Sequence, residues 1–200
     1  MSAQRVAYLA RVLTCMLLGS ACSSHGALLP IPAGSQRLVQ TPSGIAVLTQ
    51  AEAQTGLPGD ITFGGPNGRS ALYLQFSPEW RAHGAPLRGF LVLEPLTGAA
   101  PEPEPVAIEA WRVRAPWHAD RLHAWSDKPE LAPPYARTLT AGAPARSLRL
   151  DITELLRFAA NHPEMDQGIA LIAGRGSGHG ASFATGMNGD AVPRLEVYTR

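Results

Sequence analysis

Residues 147–174, SLRLDITELLRFAANHPEMDQGIALIAG, change hydrophobic period twice within one short stretch. Leu148, Leu150 and Ile152 alternate with Ser147, Arg149 and Asp151, the period of two of a strand with one buried face. From Ile152 the apolar residues fall instead at helical spacing, at Leu155, Leu156 and Ala159. Asp151, with Glu154 three residues on, has the form of an N-terminal capping pair. His162-Pro163 closes the helix, because proline disfavours helical backbone in the residue before it. Gly168-Ile-Ala-Leu-Ile-Ala then resumes as a nearly continuous apolar strand. One short helix near 152–161, set between strands, belongs on the end or edge of a sheet. In this phasing Leu150 and Leu155 are core, and Arg149, like Glu196 near the C-terminus, is expected to face solvent and to tolerate alanine.

The rest of the chain repeats the strand signal and not the helical one. Candidate strands run over 45–50, 60–63, 71–77, 87–94, 106–114, 181–186 and 194–199. The clearest is 71–77, with Leu72, Leu74 and Phe76 inward and Tyr73 and Gln75 outward. Pro66-Asn67-Gly68 is a turn signal, and the TGAAPEPEP stretch is a stiff, solvated surface spacer. Twenty glycines and 18 prolines are spread along the chain, as many short strands joined by turns require. The expected fold is all-β: a jelly-roll-like antiparallel β-sandwich with one short helix near 152–161, occupying residues 45–200. Residues 117–143 hold many of the rings and histidines with little periodicity and read as a long loop.

The first residues read as a leader. Arg5 and Arg11 precede the apolar run 12–18, followed by Gly19, Ser20, Ala21 and Cys22, the pattern of a secretory signal over 1–21. The apolar run is too short to span a bilayer. LLGSAC resembles the bacterial lipobox, with Gly19 where leucine is usual; Gly19 and Ala21 also suit an ordinary signal peptidase. Cys15 leaves with the leader, so Cys22 alone remains, and acylation would occupy it. The expectation is an exported, lipid-anchored envelope protein, with a secreted soluble form as the alternative. No disulfide is then available to the fold. Residues 22–44, small and proline-rich and including His25, read as a flexible tether.

RSALYLQFSPEW, LRGFLVLEPL, AWRVRAPWHADRLHAW, SLRLDITELLRFAA and PRLEVYT, in that order, look like the DNRLRE-type domain. Gln75-Phe76-Ser77, Trp117, Ala124-Trp125, Ile152-Thr153-Glu154-Leu155 and Pro193-Arg194-Leu195 stand in that family's characteristic places. The resemblance implies an extracellular β-sandwich related to carbohydrate-binding modules. It departs at Thr55-Gly56-Leu57 and at Ala184-Thr185-Gly186, where the family carries polar residues.

The chemistry to weigh lies mostly in the aromatic segment. Trp111, Trp117, Trp125 and Tyr135 stand near His118, Asp120 and His123. Flat rings can stack on the C–H faces of a pyranose while polar neighbours bind its hydroxyls; the same rings can instead cap the core. The candidate ligand set is Trp117, His118, Asp120, Trp125 and Tyr135, with Arg137 as a further polar partner. His118-x-Asp120-x-x-His123 lacks a fourth ligand for a closed zinc site, so no metal or other cofactor is expected. A structural calcium on backbone carbonyls and an aspartate such as Asp60 or Asp190 stays open. Gly174-Arg-Gly-Ser-Gly-His-Gly180 has neither phosphate-loop spacing nor a following helix. Ser177 and Ser182 miss the nucleophile elbow, and Glu79, Glu109, Glu130 and Asp166 have no fixed separation. No catalytic set emerges. A net charge of +1 offers no surplus for nucleic acid. The expected function is non-catalytic binding of a polysaccharide or envelope glycan, with the membrane reached through the N-terminal lipid. A structural or assembly protein binding protein partners is the alternative, and a glycan-active enzyme ranks last.

Overall fold

The structure is a computed structural model that describes residues 30–50, 59–64, 69–96, 105–139, 147–173, 180–186 and 191–200. The leader, Cys22, His25, Asp190 and residues 174–179 lie outside the described residues. Eleven strands form two antiparallel sheets and a ribbon. The four-stranded sheet has β1 (Gln36–Gln40), β11 (Arg194–Thr199), β5 (Arg88–Leu93) and β8 (Leu148–Asp151) side by side. The five-stranded sheet has β2 (Gly44–Thr49), β4 (Ser70–Gln75), β9 (Ile169–Ala173), β6 (Ala107–Val113) and β7 (Leu131–Leu139). β3 (Asp60–Gly64) and β10 (Gly180–Ala184) pair as the ribbon, which continues β5 through a Pro95–Phe183 bridge. From β4 onward the chain crosses repeatedly between the two large sheets. This is the expected all-β, jelly-roll-like sandwich.

Alternation builds the core. Leu72 and Leu74, Ile108 and Ala110, and Ile169 and Leu171 face inward from one sheet. Leu91 and Leu93, Leu148 and Leu150, and Leu195 and Val197 meet them from the other. The helix α1 (Thr153–Asn161) inserts Leu155, Leu156 and Ala159 between them, so Leu150 and Leu155 are core as phased. Gly89 makes room for the helix here: a Cβ on it would press into the buried Leu156 side chain. The capping pair takes a different form. Asp151 Oδ1 accepts from the Thr153 N–H at 2.9 Å and from its hydroxyl at 2.5 Å. Glu154 turns instead to Arg157, at 2.7 Å.

Three expectations need correction. The tether does not run to residue 44, because Gln36–Gln40 is a strand paired along its length with β11. The aromatic loop is shorter than 117–143, because Leu131–Leu139 pairs with β6 despite Pro133 and Pro134, which sit in a register shift opposite Trp111 and Arg112. Arg149 and Glu196 do not sit free in solvent. They face outward from the four-stranded sheet as phased, but Glu196 is 3% exposed. Its carboxylate accepts from Arg37 Nη2 at 2.5 Å and Arg149 Nη2 at 2.9 Å. The Arg149 guanidinium lies 3.7 Å over the Phe90 ring, so arginine stems and heads roof a small apolar patch of Phe90, Val92 and Tyr198. Burial alone would raise the Glu196 pKa; Arg37 and Arg149 outweigh it and hold the carboxyl below its usual range.

Candidate functional site

The outer face of the five-stranded sheet carries the aromatic residues, and it is divided in two. Its first half is roofed. The chain leaving β6 folds back over the sheet, and Trp117 and Leu122 pack on Ala46, Leu48, Ala71, Tyr73 and Ala170. Trp117 is 5% exposed. Its ring meets Tyr73 edge-on at 5.8 Å, and its indole N–H donates to the Gln167 carbonyl at 2.7 Å. Tyr73 therefore points outward as phased yet is buried, and burial pushes its hydroxyl up to about 12. Trp117 is a core cap and not a platform ring, since a ligand cannot reach its faces.

The other residues of this segment are dispersed. Trp125 is half-buried against the same cluster, with Lys128 Nζ 4.9 Å from its ring. His118 and Asp120 are exposed at a short 3-10 turn, Ala119–Arg121. Asp127, which carries no sequence signal of its own, organises the next turn by accepting from the His123 and Ala124 N–H groups at 3.1 and 2.8 Å. Those hydrogen bonds hold its carboxyl below the ordinary range. No three His, Cys, Asp or Glu side chains converge among the described residues.

The second half of the face is open. β6 and β7 set Trp111 directly opposite Tyr135 and Glu109 opposite Arg137. The two rings stack with centroids 4.2 Å apart and planes 12° from parallel. Tyr135 is 52% exposed. Glu109 Oε2 accepts the Trp111 indole N–H at 3.0 Å and fixes that ring. Arg137 Nε forms a loose ion pair with Glu109 Oε1 at 3.9 Å, beyond hydrogen-bond range, and the arginine side chain is more than half exposed, so its N–H groups are accessible to a ligand. Tyr135 and Arg137, two residues apart in β7, thus share a surface. Trp111 and Glu109 complete it; their common phase in β6 was the available signal, but their partner strand was hidden by its prolines.

Two of the other carboxylates considered for catalysis are engaged elsewhere. Glu130 pairs with Arg114 at 2.8 Å, and Asp166 with Arg81. Beside Asp166 lies a cavity of about 20 Å³ between α1 and the sheets, lined by Phe76, Trp80 and Arg112 among others. That is room for a water and not for a sugar. No family model and no curated protein matches the chain.

Proposed function

We propose that this domain is a non-catalytic glycan-binding module of the cell envelope, and that the Trp111–Tyr135 pair is its contact surface. One observation carries the reading: a stacked ring pair stands open on a sheet face with Arg137 and Glu109 beside it. A half-exposed phenol ring offers an apolar face to the C–H groups of a pyranose, and its stacked neighbour holds it at little further entropic cost. The adjacent guanidinium and carboxylate supply donors and acceptors for hydroxyls. The resemblance to DNRLRE-type sandwiches and the leader over 1–21, followed by Cys22, support placing the module at the envelope, anchored through an acylated Cys22.

Two measurements test this. Tyr135→Ala is expected to weaken retention on polysaccharide at least tenfold, about 1.4 kcal/mol, while stability falls by only about 0.5–1.5 kcal/mol, the range for an aromatic pair. Unchanged retention on an otherwise bound polysaccharide removes the platform. A chain that retains no polysaccharide at all leaves the assembly role, with protein on the same face. For the anchor, the N-terminal peptide from the membrane fraction is expected to carry a diacylglyceryl mass at Cys22. A Cys22→Ser chain that stays equally membrane-bound contradicts it.

A further inference from the structure

We infer that β1 is the seam of a symmetric dimer, in which the open edges of two four-stranded sheets pair antiparallel about Leu38. The orientation of the peptide groups follows from two hydrogen bonds. The Ile152 N–H donates to the Gly89 carbonyl at 2.9 Å, which turns Gly89 toward β8. The Leu87 N–H donates to the Tyr198 carbonyl at 2.8 Å, which turns Tyr198 toward β5. Because successive residues of a strand direct their peptide groups to opposite edges, Leu195, Val197 and Thr199 face β1. Their partners are Gln40, Leu38 and Gln36. The N–H and C=O of Arg37 and Val39 therefore point away from the sheet, and among the described residues nothing pairs with them.

The other edges of the two large sheets are protected. β7 carries Pro133, Pro134 and a register shift; β8 is only four residues long and lies beside β7; the Ala119–Arg121 turn packs against β2. Prolines, irregular register and short length are the usual devices that keep sheet edges from pairing. β1, five residues long, has neither proline nor irregular register, its one charge, Arg37, is paired with Glu196, and Val39 is 50% exposed on it.

The strand is also complementary to itself. With Leu38 on a two-fold axis, Gln36 stands opposite Gln40 of the second copy and Arg37 opposite its Val39. No like charges face each other, and each Arg37 stays on its own Glu196. The stem of Arg37 would cover the neighbour's exposed Val39, and an isologous contact of this kind closes at two copies. One short strand buries little area, so association is expected in the micromolar to millimolar range.

Sedimentation equilibrium on the full chain, kept reduced, tests this. A mass of two chains is expected near ~1 mM, falling toward one chain at ~1 µM, the two ends of that affinity range. Val39→Pro deletes an N–H that faces only the open edge, so it is expected to give one chain throughout with the melting temperature retained. Val39→Lys places a charge on the same edge and is expected to do likewise, which decides the matter should the proline variant fail to fold. A wild-type chain that remains single at ~1 mM overturns the inference, and so does a dimer that persists in Val39→Lys.

Discussion

Trp117→Ala is expected to cost about 3–5 kcal/mol, the range for removing a large buried ring, and to lower the melting temperature more than any other ring truncation in the 115–130 segment. The ring closes the roofed half of the five-stranded sheet, and nothing else covers Tyr73 from that side as directly. Its loss also strands the Gln167 carbonyl that accepts its N–H, at the chain entering β9. Trp117→Phe keeps most of the apolar contact but loses that donor, so it should fall between wild type and alanine. Trp125→Ala should cost less, because Trp125 is only half-buried. Thermal melts of the three variants check the order. If Trp117→Ala melts like wild type, the roof is loose and the ring is available to a ligand after all.

Glu196→Ala is expected to cost about 3 kcal/mol, the lower end for removing one partner of a buried ion pair. The lower end applies because Arg37 and Arg149 keep 50% and 28% of their side chains in solvent, where the abandoned charge is partly hydrated. Arg37→Ala alone should cost less, since Arg149 still satisfies the carboxylate. The same group sets an acid limit. Glu196 is held below its ordinary value by Arg37 and Arg149 against the opposing effect of burial. Glu94 is held down by the Ser147 hydroxyl first and by Arg194. A depressed carboxylate stabilises the fold fully above its unfolded pKa, near 4.5, and the stabilisation fades as pH falls through the lower folded value. Denaturant melts should therefore be level from neutral pH down to about 5 and weaken below that, and Glu196→Ala should flatten the acid slope. A slope unchanged in that variant would place the acid sensitivity elsewhere.

Strand phase was legible in the sequence wherever core residues alternate with others along a strand: β4, β6, β8 and β11 point as their alternation says. What alternation cannot state is whether the outward face is wet. Tyr73 and Glu196 both point away from the core and both are buried, one under a returning loop and the other under arginines recruited from β1 and β8. Neither cover is local in sequence. β1 and β7 escaped for a related reason. Gln36–Gln40 has a single fully apolar pair, Leu38-Val39, and Leu131–Leu139 is interrupted by Pro133-Pro134; each is a strand because of its neighbour and not because of its own pattern. The site suffered most, since Trp111 and Tyr135 meet only once β6 and β7 are in register.

That β1 lies on β11 also bears on how the chain reaches this state. Arg37 and Glu196 stand 159 residues apart in sequence, so the first of the described strands to be synthesised waits for the last one of its sheet. Until Arg194–Thr199 emerges, β5 lacks its neighbour, and Leu195 and Val197 are missing from the middle of the core. No stable half-sandwich should therefore accumulate on a stalled chain, and assembly should be slow, late and all-or-none, as the loop-closure entropy of such distant pairings implies.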